Sequence, residues 1–167
     1  MKQEDKEKII RAGKIASEVK KYAKGIIKKD VPLLEIAEKI EAKIIELGAK
    51  PAFPVNLSIN EIAAHYTPSH DDKTLAGGLL KVDIGVQIDG FLADTAFSID
   101  LENNKENKTL IEASEKALEN AIKIIDKDST FSGVGSVIQE TISSYNANPI
   151  TNLSGHSMNK YELHAGE

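Results

Sequence analysis

The chain has 167 residues, 41% of them hydrophobic and 28% charged, the usual make-up of one globular domain with a core of its own. Its 26 acidic against 21 basic side chains leave a net charge of -5, and no basic stripe interleaves with aromatics, so nucleic acid is not an expected partner. Cysteine is absent, which excludes disulfides and thiolate metal sites and leaves carboxylates and histidines to hold any metal.

The first twenty residues are charged throughout, and no apolar run nears the ~18 residues needed to cross a bilayer, so a cytoplasmic protein without a membrane partner is expected. Residues 4 to 29 place Ile9, Ile10, Ala12, Ile15, Ala16, Val19, Ala23, Ile26 and Ile27 at helical spacing among lysines and glutamates, which predicts an amphipathic helix. Beyond Pro32 a second stripe, Leu33, Ile36, Ala37, Ile40, Ile44 and Leu47, predicts a helix that Gly48 closes. Residues 49 to 58 hold two prolines and no usable period, and they read as a loop leading into the stretch from Asn60 to His65.

Segments 79 to 88 and 91 to 99 alternate strongly on either side of Asp89 and Gly90, the strongest short signal for a β-hairpin. Asn103, Asn104 and Asn107 mark a turn, after which Leu110, Ile111, Ala113, Ala117, Leu118, Ala121, Ile122 and Ile125 predict a third helix. A shorter helix is expected from about Gly133 to Tyr145, with Val134, Val137, Ile138 and Ile142 inward and Ser132 as a cap. Residues 149 to 167 read as extended with turns. Helices and antiparallel strands mix without βαβ alternation, so the class is α+β, and the whole of 1–167 reads as a single domain.

With Asp89 and Gly90 as the central turn residues, paired positions on the two strands have numbers that sum to 179, so Asp94 lies opposite Gly85 and Asp83 is its diagonal neighbour. Alternation puts Asp83, Gly85 and Gln87 on one face with Leu92, Asp94, Ala96 and Ser98, while Val82, Ile84, Val86, Ile88, Phe91, Ala93, Phe97 and Ile99 line the other. Diagonal neighbours sit about 7–8 Å apart at Cα, close enough for two aspartates to lean together over the glycine. Two such carboxylates repel unless one takes a proton or a cation joins them.

Hairpin geometry alone leaves open that both are ordinary solvent-facing aspartates. The histidines shift that balance: His65 in AAHYTP, His156 in LSGHSM and His164 in ELHAGE each lie amid small or apolar residues, whereas His70 in PSHDDK reads as solvated. A lone histidine near apolar neighbours is more often structural than a ligand, yet imidazole and carboxylate together suit zinc, manganese, iron or cobalt. Gly155, before His156, serves either a turn or a close approach to the backbone.

The strings PAFPVNLSINEIAAHYTP, KVDIGVQIDGFLADTAFSIDL and NLSGHSMNKYELHAG, in this order, resemble the methionine aminopeptidases, and AHYTP points to their type II branch. The resemblance spans nearly the whole chain. It implies a pita-bread fold, here the first of two pseudo-symmetric α+β halves plus the start of the second, around a site for two divalent metal ions (Co, Mn, Fe or Zn). It implies that Asp83 ligates one ion, Asp94 bridges both and His156 ligates the other. His65 and His164 then contact substrate and assist the chemistry, and Phe53 and Leu163 line the pocket for the methionine side chain.

The activity so implied is metal-assisted hydrolysis releasing the N-terminal methionine of nascent polypeptides, with His65 or His164 donating hydrogen bonds to the oxyanion or the leaving amide. The family draws two more glutamate ligands from its second half, one doubling as general base. Neither occurs by Glu167, which lies only three residues past His164 and is not assigned to that role. The expectation is therefore a chain that is stable and active only with that C-terminal half, since an isolated half exposes the surface that packs against its partner. The reading from another class is a non-catalytic pita-bread protein that binds a partner such as the ribosome. A third, a proline-directed peptidase, is weakened by AHYTP.

Overall fold

A computed structural model of the protein describes residues 1–126 and 128–166; Glu167, weighed above as a ligand, lies outside them. Two compact units are distinguished, one of Met1–Glu102 with Gly155–Glu167 and the other of Asn103–Ser154.

In the first unit, helix α1 (Gln3–Ile26) and helix α2 (Leu33–Glu46) form where the two apolar stripes were expected. Ala12, Ile15, Ala16, Val19 and Ala23 are the buried stripe of α1, and Leu33, Ile36, Ala37, Ile40 and Ile44 that of α2. Gly48 stops α2 as the sequence suggested: at φ +76° it holds the left-handed conformation that a Cβ disfavours, and its N–H donates to the Ile45 carbonyl.

The sheet has four strands: β1 (Lys50–Pro51), β2 (Asn56–Ile59), β3 (Leu79–Ile88) and β4 (Phe91–Asp100). β3 is central, with β4 on one side and both β1 and β2, one after the other, along its other edge. The segment expected to be a loop thus holds two short strands. Pro51 and Pro54 masked them, and β2 is buried at Asn56, Leu57 and Ser58 in succession, so it has no alternation to read.

The hairpin register is the one derived from the turn, with Gly85 opposite Asp94 and Asp83 opposite Ala96. Asp89 at φ +50° and Gly90 at φ +86° make the turn with two left-handed residues in a row, which suits the twist of the strands. Leu80, Val82, Ile84 and Val86 are fully shielded on the face that packs under the two helices, and each such side chain contributes about 1.5–3 kcal/mol. The opposite face is left for polar groups. A second hairpin, β5 (Ser157–Asn159) with β6 (Glu162–Gly166), belongs to the same unit and is tied to the first, the Tyr161 N–H donating to the Gly90 carbonyl at 2.9 Å.

The second unit pairs helix α3 (Lys105–Ile124) with helix α4 (Phe131–Ser144) through Asn120 to Thr141 and Tyr145 to Glu112. The Asn104 side chain caps α3 by accepting from the N–H groups of Glu106 and Asn107. Thr130, not Ser132, caps α4, because the helix begins two residues earlier than its apolar pattern suggested. Val134, Val137, Ile138 and Ile142 are half-buried rather than enclosed, and α4 has no fully buried residue. No helix among the described residues is long and apolar enough to cross a membrane.

Candidate metal centre

The polar face of the hairpin gains its shape from the break between β1 and β2. Lys50 and Pro51 pair with Gln87 and Val86, and pairing resumes only at Asn56 opposite Asp83, so residues 52–55 leave the ladder beside Gly85. The chain stays anchored there by the Ala52 N–H donating to the Gly85 carbonyl, and the Phe53 ring folds down over the glycine. A Cβ at position 85 would lie within 2.9 Å of three Phe53 ring atoms, so only glycine admits the ring at this height. The space over which the two aspartates face one another is thus floored by an aromatic ring. The sequence showed the glycine but not what covers it.

His65 and Thr67 reach the same face from the segment after β2. The Leu57 N–H donates to the Tyr66 carbonyl at 2.7 Å and the Tyr66 N–H donates to Ser58 Oγ at 3.2 Å, pinning Tyr66 along the edge of β2. The Tyr66 hydroxyl is held by Asp72 at 2.8 Å, whose carboxyl is kept below its ordinary value chiefly by the Thr74 hydroxyl. His65 sits at φ +66°, a left-handed conformation that costs a non-glycine residue of order 1 kcal/mol or more and is held by such anchoring.

The second hairpin brings His156, Leu163 and His164. The imidazoles of His156 and His164 meet edge to face, with centroids 4.4 Å apart and planes at 78°. His156 Nδ1 lies 2.9 Å from the Leu163 carbonyl oxygen. A carbonyl only accepts, so Nδ1 carries a proton and Nε2 is the ring nitrogen left for a second partner. That nitrogen faces Asp94 Oδ2 at 3.5 Å, with the two side chains 23% and 27% exposed.

All seven residues singled out from the sequence line one cavity of about 300 Å³: Asp83, Asp94, His65, His156, His164, Phe53 and Leu163. Pro54, Asn56 and Thr67 complete it. Those three carry no metal-ligand or catalytic signature, and for Asn56 the one available signal was a polar residue inside a short apolar run. His70 lies away from the site and is 94% exposed. At Gly155 a Cβ would meet open space and φ is not left-handed, so neither a protein contact nor backbone strain requires glycine there. A hollow of about 330 Å³ at the hairpin turn offers a single carboxylate, Asp89, already 3.1 Å from Lys8.

The carboxyl of Asp83 is pushed above its ordinary value, first by burial and then by the charge of Asp94, with Asn56 and His65 pulling the other way. Among the described residues no group of three or more carboxylates and imidazoles converges closely enough to close a cage alone. The donor set still fits a divalent ion. Two carboxylates repel in a half-buried pocket, which a cation relieves, and an imidazole whose Nδ1 is bound to a carbonyl turns its Nε2 to one of them, the orientation that ligating histidines adopt.

Comparison with known proteins places this arrangement in a family. Residues 7–166 match the model of Metallopeptidase family M24. The chain is 52% identical over 165 residues to the methionine aminopeptidase of Thermococcus onnurineus, covering 98% of this chain and 55% of that protein. It is 51% identical over 168 residues to that of Methanocaldococcus jannaschii, covering 99% and 56%. The crystal structure of methionine aminopeptidase from Thermotoga maritima superposes with a TM-score of 0.90 at 25% identity, covering 100% of this chain and 70% of that one. The chain spans about half the length of the curated relatives just named. With its pita-bread α+β architecture, it belongs to Metallopeptidase family M24.

Proposed function

We propose that this cavity is the metal-binding and substrate-binding part of a methionine aminopeptidase that trims the N-terminal methionine of nascent polypeptides in the cytoplasm. One observation carries the reading: His156, its Nδ1 bound to the Leu163 carbonyl, turns Nε2 on Asp94 at 3.5 Å, beside a second carboxylate that burial has pushed up. Asp83, Asp94 and His156 would hold two divalent ions, of Mn, Co, Fe or Zn. When bound, such ions acidify a water and polarise the scissile carbonyl.

The chain's own residues supply the rest. Phe53, fixed over Gly85, and Leu163 form apolar walls for an unbranched thioether side chain. His65 and His164 stand at the rim as donors to the oxyanion or to the leaving amide. Three donors cannot fill the coordination of two ions, each of which takes four or more ligands. The proposal therefore includes a second segment, corresponding to the rest of the longer relatives, that completes the site and supplies the general base.

Release of methionine from a Met-Ala-Ser peptide, with Mn(II) or Co(II) and with or without the remaining segment of the T. onnurineus relative, tests this. Turnover only in the completed protein, and none on the N-acetylated peptide, is expected. Robust turnover by this polypeptide alone would remove the need for a second segment. A completed protein that stays metal-free and inactive would support the non-catalytic, partner-binding reading instead.

A further inference from the structure

Asn56 and Thr67 line the cavity beside Asp83, and neither is a usual metal donor or an apolar wall. Asn56 is 9% exposed between the shielded residues Val55 and Leu57, where an apolar side chain would fill the space without the cost of burying an amide. It lies directly opposite Asp83 in the ladder, so the two side chains leave the sheet on the same face as cross-strand neighbours. Its carbonyl oxygen is already engaged, accepting from the Thr67 hydroxyl at 2.6 Å.

An amide held by its oxygen presents its NH2 on the other side. The Asp83 carboxylate, directly across the ladder and lining the same cavity, is the acceptor that this NH2 can reach. Thr67 is itself fixed, because its neighbour Tyr66 is pinned to β2 through Leu57 and Ser58. The hydroxyl donates to the amide oxygen, and so sets the NH2 rather than the oxygen toward the facing carboxylate. Without the hydroxyl the amide is free to turn its oxygen on the carboxylate.

We infer that Asn56 and Thr67 are positioning residues for a cation at this site, the hydroxyl locking the amide and the amide locking the Asp83 carboxylate in a ligating orientation. This rests on the reading of Asp83 as a metal ligand. Outer partners of metal ligands cost about 10–100-fold in affinity when removed.

Calorimetric titration with Mn(II), without peptide, of the metal-free protein completed by the second segment tests it. Thr67→Ser should bind as wild type does, Thr67→Val about tenfold more weakly and Asn56→Ala about 10–100-fold more weakly. The double substitution N56A/T67V should bind no more weakly than Asn56→Ala alone, because the hydroxyl acts only through the amide. Valine keeps the shape of threonine, so should Asn56→Ala fail to fold, Thr67→Val against Thr67→Ser decides. Wild-type affinity in Thr67→Val, or losses that add in the double variant, would overturn the inference. A wild-type protein that takes up no Mn(II) would sink the metal reading itself, a result visible before any substitution is made.

Discussion

Gly85→Ala isolates the contact that shapes the pocket. The glycine lies in a regular strand with no left-handed φ, so alanine has no backbone strain to bear and the effect is steric. The new methyl would stand within 2.9 Å of Cε1, Cδ1 and Cζ of Phe53, where unstrained carbons keep about 3.5 Å or more, so the ring must retreat by roughly 1 Å. Such overpacking costs about 1–3 kcal/mol, and about 0.4–1 kcal/mol returns because the unfolded chain loses freedom. A net destabilisation on the order of 1–2 kcal/mol is expected by urea unfolding.

The retreating ring has to move off the sheet into the 300 Å³ cavity, so binding of free methionine should weaken in the same variant. In a Phe53→Ala background the obstacle is gone and Gly85→Ala should become neutral or slightly stabilising, a coupling of about 1–3 kcal/mol between the two sites. Equal destabilisation in both backgrounds, or none in the wild type, would refute the contact as the reason for glycine.

Other perturbations bear on separate parts of the account. Because burial first and Asp94 second raise the Asp83 carboxyl, the folded, metal-free protein keeps that proton to a higher pH than the unfolded chain does, and stability falls as pH climbs through this window. With chelator present, Asp83→Asn should melt above wild type at pH 7, and the gap should close below about pH 4, where both states are protonated; a reversed gap would contradict the burial. Gly90→Ala combines a left-handed φ of +86° with a methyl 2.5 Å from two Tyr161 ring atoms, so it should loosen the β5–β6 hairpin, seen as faster amide exchange at Tyr161. Asn104→Ala removes the α3 cap and should cost about 1 kcal/mol in urea unfolding while leaving Mn(II) affinity unchanged; altered affinity would refute the independence of the cap from the metal site.

Much of the site was legible because a two-residue turn fixes register. Once Asp89 and Gly90 are the turn, the positions of Asp83, Gly85 and Asp94 follow, and the observed pairs are those. His156 and His164 stood out by their small neighbours, yet their edge-to-face contact depends on a short hairpin whose register shifts between Ser157 and Asn159. β2 was hidden because it is buried on successive residues and preceded by two prolines, and with it went Asn56, whose role depends wholly on facing Asp83 across the ladder. Thr67 was invisible for a related reason: its hydroxyl matters only because Tyr66 is held to that same strand. Pairing between strands distant in sequence, rather than local periodicity, decided each of these.

The most direct measurement is anomalous diffraction from crystals of the protein completed by the second segment and grown with Mn(II). The account predicts a peak within about 2.0–2.3 Å of oxygens from Asp83 and Asp94 and of Nε2 of His156, with the Nδ1 bond of His156 to the Leu163 carbonyl retained. A cavity without a peak, with Asp94 and His156 still in direct contact, would contradict it.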